Sequence, residues 1–362
     1  MRLALTELWR RPGRFGVAGA ALTLIVVLLL LLGGLLDGLF LGSTGLYRQQ
    51  ESPLLVLSAD ARDSIIRSRL APEVRAEIDQ VEGVVATHGI GTALVGARIP
   101  GRDELADAAV IGYEGAISGV PAPPAPGEGY ADRSLEAAGL AEGDTIELGP
   151  GRIPVTIVGW VDDLSYLLQG GVLVEPGTWR DVLSTSRPDA TVTDGAFQAL
   201  AIEVEGDVAA LATAIDEATG STSTLTIDAA IDALPGVSEQ RSTFNQIIGV
   251  TFFVAGLVVA LFFAFVTLER TALYGVLKAM GASSAQIYAG LVVQAVIVTT
   301  GALVIGGAVA LGLSRIVPPE IPLRLEWSRA VFVAVGMLAT AVIGGSITLR
   351  RVIRIDPAAA IS

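Results

Sequence analysis

The stretch LTLIVVLLLLL (Leu22–Leu32) decides the fold, because it lies inside an apolar run that extends from about Phe15 to Phe40. Three further runs of similar length follow at about 247–268, 287–313 and 330–349. About twenty apolar residues cross the hydrocarbon core as a helix, since lipid offers the backbone no hydrogen-bond partner. The sequence therefore predicts four transmembrane helices. The first run is too long for a cleaved signal peptide and is predicted to be retained.

Composition and charge predict where the rest of the chain lies. Only 17% of the 362 residues are charged, against about a quarter in soluble proteins. Residues 41–243 carry 31 acidic and 12 basic side chains, whereas all other residues together carry 6 and 12. Basic side chains collect on the cytoplasmic side of a membrane, and here they precede the first run, separate the second from the third and follow the fourth. The acidic block is therefore predicted to be external, and both termini cytoplasmic.

The predicted fold class is a membrane α-helical protein, with a large extracytoplasmic α+β domain inserted between transmembrane helices 1 and 2. The run of prolines at 121–129 is predicted to be a stiff surface loop that divides this domain into two subdomains. The predicted segments are a cytoplasmic amphipathic elbow helix (1–14), transmembrane helix 1 (15–42), the external domain (43–243), transmembrane helix 2 (244–268), a cytoplasmic coupling helix (269–286), transmembrane helix 3 (287–313), an outer loop (314–329), transmembrane helix 4 (330–349) and a cytoplasmic tail (350–362).

Several classes of function are excluded by residue counts. The net charge of −13 argues against nucleic-acid binding, and the absence of cysteine excludes disulfides and thiolate metal sites. The one histidine, His88, is predicted to be a structural residue at the end of a strand, and no catalytic residues are assigned. The one lysine, Lys278, stands outside any Gly-x-x-x-x-Gly-Lys-Ser/Thr motif, so the chain cannot bind ATP through a P-loop.

The segment between the second and third runs reads ERTALYGVLKAMGASSAQI, residues 269–287. It predicts a short amphipathic helix over Thr271–Met280, ended by Gly281, with Ser283 or Ser284 capping the next helix. A short helix held at a membrane surface suits docking into a groove of a partner protein. A plain helical hairpin connection would show the same pattern, so both interpretations stay open on physical grounds.

This segment resembles the signature of the FtsX/MacB family of ABC-transporter permeases, roughly R-x-x-E-I-G-x-L-K-A-x-G-A-S. Leu273 stands at the place of the usual glutamate and Tyr274 at that of the isoleucine. The C-terminal residues 354–361 resemble the family's closing R-x-D-P-x-x-A-L, and residues 3–15, 58–68 and 234–246 are similar to the DevC/HrtB-like branch. The residues that match the signature are Arg270, Gly275, Leu277, Lys278, Ala279, Gly281, Ala282 and Ser283.

The resemblance implies a homodimeric, non-catalytic permease powered by two separate ATPase subunits, which would bind ATP and magnesium. It implies contacts to the ATPase at Arg270, Tyr274, Lys278 and Gly281. HrtB-type members export haem, whereas other relatives move lipids, lipoproteins, peptides or drugs. The expected function is thus export of a hydrophobic or amphipathic substrate, with haem as a candidate. The alternative is a subunit that transmits force to an external enzyme or signalling partner.

Small and acidic residues of the spans carry further hypotheses. Gly34, Gly38 and Gly42 recur at four-residue spacing, which suits either a dimer seam or packing on the second span. Asp37 lies in the first span, where an acid is costly and therefore a candidate functional residue. Asp37 and Glu239, both near the outer leaflet, are the candidate substrate residues that could serve a haem site. The pairs at 306–307 and 344–345 are predicted to mark close contact between the third and fourth spans.

Overall fold

The computed structural model describes residues 12–120, 122–190, 192–269, 271–318 and 321–347. They form two compact units, one from the residues up to 38 and from 240 onward, the other from Leu39–Glu239. We call them the membrane unit and the external domain. Arg270, nearly all of the predicted elbow helix and the predicted tail at 350–362 lie outside the described residues.

One long helix comes first, the external domain follows, and three long helices end the described chain, with a short helix between the first two of these three. In chain order they are α1 (Pro12–Gln49), β1 (Leu54–Ser58), α2 (Pro72–Ile78), β2 (Val84–Arg98), β3 (Ala106–Tyr113), β4 (Glu128–Asp132), α3 (Ser134–Ala137), β5 (Thr145–Leu148), β6 (Ile153–Val161), β7 (Gly170–Val174), α4 (Pro176–Ser186), β8 (Ala199–Val204), α5 (Val208–Thr219), β9 (Thr222–Thr226), α6 (Ile227–Asp232), α7 (Val237–Glu269), α8 (Thr271–Ala279), α9 (Ser284–Ser314) and α10 (Trp327–Ile347).

The helices α1, α7, α9 and α10 are each long and apolar enough to cross a membrane. The prediction of four spans with a sheet-rich domain inserted after the first is therefore confirmed. Their buried faces share one apolar core, since a helix that is apolar all round can pack on any side. Its fully buried members include Val26, Leu29, Ala255, Ala295 and Met337.

Glycines allow helices of the membrane unit to approach closely, but the helices that meet at them are not the predicted pair. A Cβ at Gly306 of α9 would lie 2.7 Å from Val26 of α1, and a Cβ at Gly344 of α10 would lie 2.7 Å from the carbonyl oxygen of Gly256 in α7. Gly307 has no heavy atom within 4 Å of such a Cβ. The prediction that these glycines join the third span to the fourth is wrong, because the partners of Gly306 and Gly344 are the first and second spans.

The external domain is built on one nine-stranded sheet in the order β3-β7-β4-β6-β5-β2-β8-β1-β9. An additional pairing of β2 with β3 closes six of these strands into a ring. The 15-residue strand β2 makes this possible, because its second half pairs with β3 and its end pairs with β5, while its first half pairs with β8 outside the ring. Most pairs are antiparallel, while β3 with β7 and β4 with β6 are parallel.

The core of the external domain contains a stacked aromatic pair. The rings of Trp179 in α4 and Phe197 before β8 lie 5.9 Å apart with an angle of 7° between their planes, and both side chains are buried. A Cβ at Gly89 would overlap the phenylalanine ring, and one at Gly91 would overlap the indole. Glycine at these two positions of β2 is what lets large rings lie flat against the strand.

Two details of the external domain differ from the sequence-based predictions. Strands on both sides of the proline run belong to the same sheet, so the division into two subdomains is wrong. His88 lies within β2 rather than at its end, and its Nε2 is 3.0 Å from Oε1 of Glu203. Its ring packs edge-on against Tyr113, where burial raises the pKa of the phenol to about 12.

Candidate functional site

The helix α8 (Thr271–Ala279) joins the second and third spans. Gly281 follows it with a φ of +94°, a left-handed conformation that glycine adopts without strain and that ends the helix. Ser283 then caps α9: its hydroxyl accepts a hydrogen bond from the Gln286 amide, and the Gln286 side chain accepts one from the Ser283 amide. The left-handed Gly281 and the Ser283 cap together end α8 after a short helix and turn the chain sharply into α9.

One face of α8 is apolar and exposed. Leu273 and Val276 of α8 are 46% and 41% exposed, and Met280, the residue directly after α8, is 72% exposed. The Met280 amide donates a hydrogen bond to the carbonyl oxygen of Val276, so the helical spacing of three and four residues places the three side chains on the same side. Apolar side chains that project together from a short helix form a surface suited to a partner's groove. None of the three is among the predicted ATPase contacts: helical spacing in the sequence places them on one face, but it does not show that this face is exposed.

The predicted contact residues occupy other positions on α8. Tyr274 is only 7% exposed and belongs to the core of the membrane unit. Lys278 is half-buried, and Gly281 supplies the turn that ends the helix. Arg270 lies outside the described residues. The structure thus gives Tyr274 and Gly281 roles in holding α8, and a role of any of these residues toward an ATPase stays a prediction.

The glycines of the first span face other parts of the same chain. A Cβ at Gly34 would lie 2.8 Å from the Leu325 side chain, and a Cβ at Gly38 would overlap the backbone carbonyl of Pro322. Within the external domain, a Cβ at Gly42 would lie 3.1 Å from Leu168. Gly34 and Gly38 therefore pack on the segment before α10, neither on the second span nor on an open face. The dimer seam stays a prediction for these positions.

The two candidate substrate acids have different surroundings. Asp37 forms an ion pair with Arg329, the third residue of α10, at 2.5 Å between Oδ1 and Nη2. Glu239 lies in the first turn of α7 and is exposed, and its Oε2 accepts a hydrogen bond of 3.1 Å from the hydroxyl of Ser238. Among the described residues, no group of three or more His, Asp or Glu side chains could hold a metal ion.

We expect Gly38→Ala to destabilise the membrane unit by about 3 kcal/mol, because the new methyl group would overlap backbone that cannot rotate away. Thermal unfolding of the full chain in detergent would measure the loss. Gly301→Ala is the matched control, since a Cβ at that position of α9 meets nothing within 4 Å. Equal midpoints for the two variants would show that the contact at Gly38 is absent in the folded protein.

Residues 245–357 match a protein family described as FtsX-like permease, C-terminal. This range begins in α7 and contains α8, α9 and α10. Both motifs that carry the resemblance, the signature segment from 269 onward and the closing one at 354–361, lie within or next to it. The family match thus covers most of α7 and all of α8, α9 and α10, the helices that follow the external domain.

Curated relatives agree with this match over part of their length. A Staphylococcus epidermidis protein named as the hemin transport system permease HrtB is 25% identical over 138 residues, 38% of this chain and 39% of the relative. An uncharacterized ABC transporter permease of Mycobacterium tuberculosis is 38% identical over 109 residues, 30% of each chain. The chain thus matches less than two-fifths of the length of either relative.

Two solved structures align with part of this protein at low TM-scores. The periplasmic region of MacB from Actinobacillus actinomycetemcomitans has a TM-score of 0.35 and 12% identity, covering 50% of this chain and 91% of that one. The extracellular domain of the noncanonic ABC-type transporter YknZ has a TM-score of 0.33 and 11% identity, covering 48% and 99%. Neither similarity is high enough to carry a functional conclusion.

Four apolar helices and the permease family together indicate a protein of the cytoplasmic membrane with an external domain. By its signature segment, its FtsX-like C-terminal helices and its HrtB-named relatives, the chain resembles the FtsX/MacB-type permeases and, among them, the HrtB-like branch.

Proposed function

We propose that the chain is the permease subunit of an ABC transporter, and that it couples ATP hydrolysis in a separate ATPase to export of a hydrophobic or amphipathic substrate. The observation that carries this proposal is the exposed apolar face of α8, formed by Leu273, Val276 and Met280. It lies inside the range that matches the FtsX-like family. An exposed apolar patch on an otherwise packed element is typical of a protein interface.

The composition of this face predicts the chemistry of the partner. Leu273 occupies the position where the family signature usually has glutamate, so the contact would be apolar where a charged one is usual. We therefore expect the groove of the ATPase that receives α8 to be apolar, and to carry no lysine or arginine at the point that faces residue 273. A buried lysine or arginine without a carboxylate would cost binding energy there.

The topology that we propose places α8, both termini and the ATPase on the cytoplasmic side, and the external domain on the other. It rests on the basic side chains that flank the spans and on the acidic surplus of residues 41–243. The functional unit would be a homodimer of this chain with two ATPase subunits that bind ATP and magnesium. This composition comes from the resemblance to the family.

Haem is the first substrate to test, because relatives of this chain carry the name hemin transport system permease. The full chain would be reconstituted in nanodiscs with its cognate ATPase, and ATP hydrolysis measured with and without haem. We expect a 2:2 complex by light scattering, a Soret shift on binding and a severalfold rise in hydrolysis, as for binding that is coupled to a conformational change.

The outcomes separate the parts of this proposal. Failure of the chain to bind the ATPase or to change its hydrolysis rate would refute the assignment as an ABC permease. A functional complex without a Soret shift or haem stimulation would refute haem alone. Hydrolysis that responds to a soluble protein bound by the external domain, and to no small molecule, would instead favour the force-transmitting alternative.

A further inference from the structure

Both carboxylate oxygens of Asp37 accept hydrogen bonds from Arg329 in the ion pair between these residues. Nη2 of Arg329 lies 2.5 Å from Oδ1 and its Nε lies 3.0 Å from Oδ2, the two-point geometry in which arginine binds carboxylates most strongly. The two side chains are only 18% and 20% exposed. Both residues belong to the membrane unit, where an unpaired charge is costly. Each side chain therefore neutralises the other.

The residues before Arg329 lie on the surface of the first span. We call residues 321–326 the strap. The amide of Arg324 donates a hydrogen bond of 3.0 Å to the carbonyl oxygen of Gly34, and the backbone carbonyl of Pro322 lies where a side chain at Gly38 would be. The stem of Arg329 itself crosses Gly33, 2.7 Å from a Cβ built there. The strap and the Arg329 stem thus pack on the surface of the first span formed by Gly33, Gly34 and Gly38, which we call the glycine face.

These contacts belong to one arrangement. The ion pair lies next to the glycine face, because Asp37 adjoins Gly38 in α1 and Arg329 follows the strap by three residues. Glycine removes the side chains that would keep the strap at a distance, while the ion pair supplies attraction that apolar contacts lack in a lipid environment. Gly34 and Gly38 are buried as a result.

We propose that Asp37 and Arg329 form a clasp that holds the strap on the glycine face of the first span. Asp37 is then a positioning residue rather than a substrate ligand, since both of its oxygens are engaged. The clasp joins the first and fourth spans at the end of α1 that leads into the external domain. This inference does not depend on the proposed transport function, because it concerns contacts within a single chain.

Disulfide trapping in membranes tests the clasp directly, because the chain contains no native cysteine. In the full-length variant G34C/L325C, the second cysteine replaces the leucine whose side chain lies 2.8 Å from a Cβ built at Gly34, so we expect the two thiols to come within bonding reach. Maleimide labelling after mild oxidation counts the thiols that remain. We expect nearly complete cross-linking in this parent, and a yield lower by roughly fivefold after Asp37→Asn or Arg329→Gln.

The matched control is Arg315→Gln, which removes the same charge at the other end of the same connection, where the side chain is exposed. This control should leave the cross-linking yield unchanged. The exchange D37R/R329D, which reverses the ion pair, should restore at least part of the yield that the single variants lose. Should a single variant fail to accumulate, D37N/R329Q leaves no unpaired charge and should accumulate with a low yield. An uncross-linked parent, or Asp37→Asn with the parent's yield, would overturn the proposal.

Discussion

Replacing Trp179 with alanine is expected to lower the free energy of unfolding of the external domain by about 4 kcal/mol. The indole is fully buried, stacks on Phe197 and lies under the guanidinium of Arg180, whose Cζ is 5.8 Å from the ring centre. Gly91 and Gly112 already bring two strands against this ring. The surrounding backbone is hydrogen-bonded in the sheet and cannot collapse into the space, so most of the cavity would remain.

Pulse proteolysis of the full chain in detergent, at increasing urea concentrations, would measure the change through cleavage of the external domain. Trp327→Ala is the control, because that side chain is 80% exposed and its loss should change the same transition by less than about 0.5 kcal/mol. A midpoint for Trp179→Ala equal to that of the control would contradict the packing described for this core.

The membrane-spanning helices could be predicted from composition alone, because the demand of lipid for internally bonded, apolar helices is strict. Their ends could not. The helix α1 continues to Gln49, beyond the end of the first apolar run, since Leu46 and Tyr47 are buried in a core of the external domain. The helix α7 likewise begins at Val237 within polar sequence. In both cases tertiary contacts extend a helix that hydropathy would end.

In the external domain, strands that form apolar runs, such as β1 (LLVLS) and β8 (ALAIEV), can be recognised in the sequence, and others cannot. The strand β4 reads EGYAD and β9 reads TSTLT, neither of which has the pattern of a buried strand. They form because neighbours complete their hydrogen bonds: β4 lies between β6 and β7, and β9 pairs with β1. The pairing of β2 with β5, at Ala97 and Leu148, is similarly non-local, so no local sequence signal specifies it.

In the candidate site, too, the local features could be predicted from the sequence and the tertiary packing could not. The sequence located α8, its terminating Gly281 and its following cap, all of which are local signals. It did not show which face of the helix is free, because that depends on the packing that buries Tyr274 and exposes Val276. Glycine spacing likewise indicated a close contact of the first span, whereas the partner, the strap before α10, is remote in sequence.

Val276→Asp is expected to abolish coupling to the ATPase, with at least about a hundredfold loss of affinity between the two subunits. Val276 lies between Leu273 and Met280 on the exposed face of α8, so its side chain would be at the centre of the proposed contact. A carboxylate buried there without a partner pays its desolvation cost in full, and residues at the centre of an interface carry most of its energy. Co-purification and chain-stimulated ATP hydrolysis would report the loss.

Ala285→Asp is the matched control for this experiment. It introduces the same charge into the same connection between spans, at an exposed position in the first turn of α9, where the helix dipole favours an acid. We expect this variant to bind and stimulate the ATPase as the parent does, and both variants to reach the membrane in equal amount. If both lose coupling, repulsion by negative charge at this surface explains the effect; if Val276→Asp retains it, α8 does not dock through its apolar face. Loss in Val276→Asp alone would assign the contact to the face formed by Leu273, Val276 and Met280, and with it the apolar character expected of the partner's groove.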